Sequence, residues 1–168
     1  MLPVIISTLE LKKVLIVDDN ETNRELMRQL FRIWGIPHTI VDSAKVALSE
    51  LELALQEATP YTIAVLDQHM PTVNGLELCN QIQKHPQLAQ TKLIMASSYA
   101  QRGDALKMKS AGFQGYITKP IQQSELLDVL LMVSGLKEAT SELITPHKAK
   151  ENEQFKAHVL VVEDNEIN

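Results

Sequence analysis

The chain has 168 residues, of which 45% are hydrophobic, and its formal net charge at pH 7 is −5. This length fits one ordinary domain of about 100 to 150 residues together with additional segments. The acidic balance gives no basic field for nucleic acid, whose phosphates require clustered Lys and Arg, so we expect no nucleic acid partner.

The ends of the chain and its single cysteine bound the cellular setting. No apolar run in the sequence approaches the roughly 20 residues that span a bilayer, and residues 1–6 lack the basic flank of a secretory signal. We therefore expect a cytoplasmic location and no direct membrane contact by this segment. Cys79 is the only cysteine, which excludes an internal disulfide, and its helical surroundings predict a buried thiol.

Five short apolar strands alternate with five helical patterns. The predicted strands are 14–18, 38–42, 62–67, 92–97 and 115–118, and the predicted helices are 21–34, 44–58, 75–84, 100–111 and 122–134. Segment 63–66 is apolar on both faces, as a parallel sheet covered by helices on each side requires. The sequence therefore predicts an α/β fold with a doubly wound, five-stranded parallel sheet and helices on both faces.

Apolar stripes at helical period predict which helix faces are buried. In the first helix the stripe consists of Leu26, Met27, Leu30, Phe31 and Trp34. The second helix has Ser43 as its predicted N-cap, and its stripe consists of Ala44, Ala47, Leu48, Leu51 and Leu55. We interpret both stripes as core and not as a cofactor box.

Acidic, hydroxyl and basic side chains follow the ends of four predicted strands. Ligands of parallel α/β sheets bind just beyond the carboxyl ends of the strands, and neighbouring strands lie about 4.8 Å apart. We therefore expect these side chains to converge on one small volume. They are Asp18 and Asp19 after the first strand, Asp67 after the third, Ser97 after the fourth and Lys119 after the fifth.

Three carboxylates close together favour a divalent cation that prefers oxygen ligands. Mg²⁺, or Mn²⁺ in its place, prefers carboxylate and carbonyl oxygens and often bridges protein to phosphate. We predict that Asp18 and Asp19 hold the metal, directly or through water, with help from Asp67 and the main-chain carbonyl of His69.

The same constellation predicts an aspartyl nucleophile. Asp67 is the predicted phosphoacceptor because a carboxylate can form an acyl phosphate, and Lys119 and Ser97 would bind the phosphoryl oxygens. A cis bond between Lys119 and Pro120 is predicted to aim the lysine over the strand ends. Each residue taken alone also fits a cap, a turn or a solvated charge; it is their joint occurrence that favours a site.

A repeat indicates how the chain is organised. Segments 14–23 and 159–168 are identical at 7 of 10 positions, which predicts one complete module and the truncated first strand of a second. The expected organisation is an N-terminal linker at 1–11, a module at 12–136, a charged linker at 137–157 and the truncated strand at 158–168. This last segment is expected either to be disordered or to pair with a sheet edge, including that of a second molecule in a dimer.

The order and spacing of the site residues resemble the response regulator receiver domain family over residues 12–136. The resemblance rests on the acidic pair after the first strand, followed by Asp67, Met70-Pro71, Gly75, Ser97, Tyr116 and Lys119-Pro120. It implies a flavodoxin-like sheet with strand order 2-1-3-4-5.

The resemblance also implies a function in a two-component phosphorelay. Asp67 would accept a phosphoryl group from the phosphohistidine of a histidine kinase or a histidine phosphotransfer domain, and the receiver itself would catalyse this Mg²⁺-dependent step. Ser97 and Tyr116 would form the switch, with Tyr116 rotating into space that Ser97 vacates and changing a protein-interaction surface. The family often has Thr where this chain has Ser97, and the hydroxyl is retained.

The repeated segment resembles the start of a second receiver, with Glu163 and Asp164 as its acids. Tandem receivers are typical of hybrid sensor histidine kinases. The resemblance thus implies a second receiver in the same protein and the cytoplasmic part of a membrane-bound sensor, with a kinase core outside this chain.

Three other functions remain as alternatives. A pseudo-receiver that acts only as an interaction module would lack one of the acids or the lysine, and all of them are present. An aspartyl phosphatase would require a second acid where His69 stands. A flavin mononucleotide site would meet repulsion between the ligand phosphate and the carboxylates of Asp18 and Asp19.

Overall fold

Five parallel strands form one sheet in the order β2-β1-β3-β4-β5. The computed structural model describes residues 11, 13–99 and 104–135 of the chain. The strands are β1 Val14–Val17, β2 His38–Val41, β3 Ile63–Asp67, β4 Lys92–Ser97 and β5 Gly115–Thr118. This topology confirms the predicted fold class and strand order.

Helices cover both faces of the sheet. They are α1 Glu21–Trp34, α2 Ala44–Gln56, α3 Gly75–Lys84, α4 Asp104–Ala111 and α5 Gln123–Ser134, with a short 3-10 helix at Leu88–Gln90. None of the helices within the described part of the chain has the length and apolar character needed to cross a bilayer.

Two strands end one residue earlier than predicted, at Val17 and Val41. At Asp18 the main-chain nitrogen still donates to Val41, but the side-chain carboxylate accepts a hydrogen bond from the Asn20 nitrogen. The chain therefore turns toward α1 at this residue. Strand β3 begins at Ile63 instead of residue 62.

Two helices are also shorter than predicted. Helix α2 ends at Gln56 instead of residue 58, and Ala58 takes a positive φ of 56° that a helix does not allow. Helix α5 begins at Gln123 because Gln122 occupies the extended N-cap position. Helix α4 is described from Asp104, so the predicted helical start at 100–103 lies outside the described residues.

Alternate side chains of each central strand enter two separate cores. In β1, Val14 and Ile16 pack with α1 and α5, whereas Leu15 and Val17 pack with α2 and α3. This alternation follows from the period of two along a strand. The prediction that Leu26 belongs to the core is wrong, because its side chain is 41% exposed at the edge of the α1 stripe.

Ser43 and Cys79 both lie where the sequence predicts, but only one of them makes the expected interaction. Ser43 occupies the N-cap position of α2, but its side chain makes no capping hydrogen bond. Cys79 is a buried thiol on α3, as predicted, and burial raises its pKa to about 11. The linker at 137–157 and the truncated strand at 158–168 lie outside the described residues, as does nearly all of the N-terminal linker at 1–11, and their predicted organisation stays a prediction.

Candidate functional site at the carboxyl edge of the sheet

Three carboxylates meet where β1 and β3 end. These strands pair with Val17 opposite Leu66, so the next residue of each strand arrives at the same edge of the sheet. One oxygen from each of Asp18, Asp19 and Asp67 lies within 4.8 Å of the others. Asp18 and Asp67 are 3% and 5% exposed, whereas Asp19 is open to solvent. The convergence predicted for these acids is present in the structure.

Lys119 completes the cluster from the end of β5. Its Nζ lies 2.7 Å from Asp18 Oδ2 and 3.0 Å from Asp67 Oδ1. The Lys119–Pro120 peptide bond is cis, as predicted. Burial works to lower the pKa of Lys119, but the hydrogen bonds to Asp18 and Asp67 outweigh it and raise that pKa above its usual value. The lysine is therefore held as a cation between two buried carboxylates.

One ammonium cannot balance three carboxylates. Two like charges about 4 Å apart repel by roughly 4 kcal/mol near a protein surface. Burial raises the pKa of Asp67, the negative charge of Asp18 raises it further, and Lys119 only partly opposes the shift. The residues present thus fit a divalent cation, which would supply the missing positive charge through oxygen ligands.

The first turn of α1 also contributes two residues that the sequence analysis did not identify. Asn23 Nδ2 donates to both oxygens of Asp18, at 3.2 and 3.1 Å. Arg24 Nη1 donates at 2.8 Å to the main-chain carbonyls of Asp18 and Asp19. One signal pointed to Asn23, because it recurs as Asn168 in the repeated segment.

The loop between β3 and α3 forms one wall of the site. A Cβ atom on Gly75 would lie 2.5 Å from the Asp67 carbonyl oxygen, so only glycine fits there without a shift. Asn74 and Glu77 form a capping box that fixes the start of α3. The His69 nitrogen donates to Asp67 Oδ1 at 3.3 Å; the metal-binding role predicted for the His69 carbonyl stays a prediction.

The two predicted switch hydroxyls meet at one main-chain carbonyl instead of at Asp67. Ser97 Oγ donates to the Tyr99 carbonyl at 2.9 Å, and the Tyr116 hydroxyl donates to the same oxygen at 2.8 Å. Tyr116 is already buried, with 5% of its surface exposed. The ring thus occupies the interior in this conformation, and the rotation of Tyr116 predicted to follow phosphorylation stays a prediction.

Comparison with known proteins identifies the family. The profile of the response regulator receiver domain matches residues 14–131. The signal transduction histidine-protein kinase BarA of Escherichia coli K12 is 30% identical over 133 residues, which cover 79% of this chain and 14% of that kinase. The chain thus matches only a small part of the kinase. The polar-differentiation response regulator DivK of Brucella ovis is 32% identical over 124 residues, which cover 74% of this chain and 97% of DivK.

Solved structures share the same fold. The receiver domain of the sensor histidine kinase PA1611 from Pseudomonas aeruginosa, solved with a magnesium ion coordinated in its active site cleft, aligns with a TM-score of 0.64 and 23% identity. The alignment covers 74% of this chain and 98% of that domain. With this fold, the matched profile and the similarity to DivK along nearly its whole length, the chain belongs to the response regulator receiver domain family of two-component signalling.

Proposed function

We propose that Asp67 accepts a phosphoryl group from the phosphohistidine of a histidine kinase or a histidine phosphotransfer domain. The observation that carries this proposal is the meeting of Asp18, Asp19, Asp67 and Lys119 at one edge of the sheet. Among the described residues no donor contacts Asp67 Oδ2, whereas Oδ1 is bound by Lys119 and the His69 nitrogen. Oδ2 is therefore the oxygen that is available as a nucleophile.

The transfer exchanges one bond for another. A carboxylate oxygen of Asp67 forms a bond to phosphorus as the bond between phosphorus and the donor imidazole nitrogen breaks, and that nitrogen keeps the electron pair. Lys119 lies against Asp67, where its charge can stabilise the incoming phosphoryl oxygens. The step needs no oxidant or further co-reactant.

Mg²⁺, or Mn²⁺ in its place, is the cation that this acid cluster would hold. Asp18, Asp19 and Asp67 would hold it, directly or through water, together with the main-chain carbonyl of His69. When bound, the cation compensates the charge of the carboxylates and of the phosphoryl oxygens. The proposal is supported by the three carboxylate oxygens within 4.8 Å of one another, two of which belong to acids that share the ammonium of Lys119.

The proposed switch runs through the Tyr99 carbonyl, which accepts hydrogen bonds from both Ser97 and Tyr116. A phosphoryl group adds roughly 1.5 to 2 negative charges at Asp67 and attracts the Ser97 hydroxyl away from this carbonyl. Tyr116 then becomes the remaining side-chain donor to Tyr99. Because Tyr99 is 72% exposed, the change reaches a surface that a partner protein can read.

The wider context is also a proposal. The similarity to a segment of the histidine-protein kinase BarA supports an origin in a hybrid histidine kinase, and we propose that such a kinase would be a membrane-bound sensor with this domain in the cytoplasm. The repeat at 159–168 supports a second receiver in the same protein, and its apolar start at 159–162 gives a route to a dimer by strand pairing.

Intact mass after incubation with acetyl phosphate tests the central proposal. Wild type should gain one phosphoryl group with Mg²⁺ and none with EDTA, and Asp67→Asn should gain none. Asp42→Asn is the matched control, because Asp42 is an exposed acid that follows β2 outside the cluster; it should label like wild type. Labelling of Asp67→Asn would contradict the assignment, and unlabelled wild type would favour the pseudo-receiver alternative.

A further inference from the structure

Asp18 and Asp67 differ sharply in how many donors surround their carboxylates. Asp18 accepts four hydrogen bonds, from the Asn20 nitrogen, from Asn23 Nδ2 to each oxygen, and from Lys119 Nζ. Asp67 Oδ2 has no donor among the described residues. The carboxylate of Asp18 therefore has hydrogen-bond donors on both oxygens, whereas that of Asp67 has donors on Oδ1 alone among the described residues. Asn23 supplies two of the four hydrogen bonds to Asp18.

The orientation of the Asn23 amide follows from its partner. A carboxylate only accepts hydrogen bonds, so the amide nitrogen, with its two N–H groups, must be the atom that faces Asp18. The main chain of Asn23 is fixed as well, because its nitrogen donates to the N-cap side chain of Asn20 at 3.2 Å. Asn23 thus reaches Asp18 from a helix turn that is itself capped.

A neutral donor suits this position better than a charged one. A lysine or arginine side chain against Asp18 would add a second cation beside Lys119 and compete with a divalent ion, and a carboxylate would add a fourth negative charge. The amide orients the Asp18 oxygens and leaves the net charge of the cluster unchanged. Arg24 has the complementary role on the main chain, since it contacts only the carbonyls of Asp18 and Asp19 within the acidic pair.

We propose that Asn23 is a positioning residue for the divalent cation. Its amide keeps both oxygens of Asp18 engaged, so that direct ligation of the cation would fall to Asp19 and Asp67. Without the amide, Asp18 keeps only the Asn20 nitrogen and Lys119 Nζ as donors, so its carboxylate is held less firmly and the arrangement of ligands loosens. The inference rests on the proposed function, because it concerns the same cation site.

Calorimetric titration of the full chain with Mg²⁺ alone tests this role, together with thermal unfolding in EDTA. Asn23→Leu removes the amide at nearly constant size and should weaken Mg²⁺ binding about tenfold or more, as the loss of outer-shell partners does in other metal sites. Gln29→Leu is the matched control, because Gln29 is an exposed amide of α1 that bonds only Glu25; its Kd should equal that of wild type. Asn23→Ser, too short to span both oxygens, should also bind weakly and serves if the leucine variant does not fold.

The outcomes separate this inference from the proposed function. A lower unfolding temperature in EDTA with an unchanged Mg²⁺ Kd would mean that Asn23 only stabilises the helix start, and would overturn the inference while the proposed function stands. Absence of Mg²⁺ binding by wild type would overturn both. Weaker binding by the two Asn23 variants, with normal binding by Gln29→Leu, supports the positioning role.

Discussion

Charged side chains have different partners at the two edges of the sheet. At the amino edge each lysine finds its own neutral partner: Lys92 Nζ donates to the Val133 carbonyl at 2.8 Å, and Lys13 Nζ lies 4.4 Å from the centre of the Tyr61 ring. At the carboxyl edge Lys119 is ion-paired with both Asp18 and Asp67, and Asp19 brings a third carboxylate beside them. The lysine contacts at the amino edge stabilise the folded state, whereas the repulsion between carboxylates at the carboxyl edge destabilises it.

The two edges also differ in the volume of their surface cavities, and the larger cavity lies at the amino edge, away from the acid cluster. The concavity at the amino edge has a volume of about 900 Å³, whereas the groove beside Asp19 and His69 has about 410 Å³. The larger space is bordered by strand starts such as Ile63 and Lys92 and by helix ends such as Gln56 and Ser134. In this domain, crowding of like charges is therefore a better indicator of the proposed functional edge than the volume of a surface cavity.

The largest expected effect is stabilisation by metal at the carboxyl edge. Because a ligand that binds only the folded state stabilises it by mass action, Mg²⁺ at about 100 times its Kd should add roughly 2.7 kcal/mol to the free energy of unfolding. Asp19→Asn should lose most of this gain. Differential scanning fluorimetry with and without Mg²⁺ measures it, and an unchanged melting temperature for wild type would count against a metal site.

The substitution Gly75→Ala should have the next largest effect on stability. A Cβ atom 2.5 Å from the Asp67 carbonyl forces the loop to shift, at a cost of about 1 to 3 kcal/mol, and should also slow acetyl phosphate labelling. Gly35→Ala is the matched control, because Gly35 has a left-handed φ of 67° and nothing within 4 Å of the added atom. It should destabilise the fold with no effect on labelling rate; equal labelling by both variants would show that the loop position is unimportant.

Lys92→Met should separate the two edges. Loss of its hydrogen bond to the Val133 carbonyl at the end of α5 should cost about 1 kcal/mol of stability. Because Lys92 lies at the far edge from Asp67, labelling and the Mg²⁺-dependent stabilisation should match wild type. Urea unfolding measures the first quantity and intact mass the second. A defect in labelling would mean that the two edges are coupled.

The smallest effect concerns pH. Burial raises the pKa of Asp67 in the folded chain, so the folded state binds this proton more tightly than the unfolded state, whose pKa is about 3.9. The contribution of Asp67 to stability therefore falls as pH rises from that value through the folded pKa, and stays unfavourable at neutral pH. In EDTA, Asp67→Asn should be more stable than wild type at pH 7, and the difference should shrink in acid. A less stable variant at pH 7 would contradict this sign.

Residue type at strand ends was enough to predict most of the site. The apolar segments predicted parallel strands, whose carboxyl ends lie at one edge of the sheet. Asp18, Asp67 and Lys119 could therefore be placed together from their positions at the ends of these strands. The amide of Asn23 could not, because a polar residue on a helix turn does not indicate which carboxylate it contacts. The same reasoning applies to Leu26, since a stripe at helical period does not show where the buried arc ends.

The contacts of the two proposed switch residues were the least predictable part of the site. Sequence shows that Ser97 and Tyr116 carry hydroxyls, but their shared acceptor is a main-chain carbonyl at Tyr99, and every residue has a carbonyl. Only the path of the chain after β4 brings that oxygen between them. Such contacts depend on loop geometry, which short-range patterns do not specify.

Borohydride trapping tests the central claim most directly. Reduction of an aspartyl phosphate converts the residue to homoserine, which peptide mass mapping can locate after acetyl phosphate treatment in Mg²⁺. If Asp67 is the phosphoacceptor, homoserine should appear at position 67, and only in the presence of the metal. Homoserine at another aspartate, or none in a sample that carries one phosphoryl group, would contradict that role.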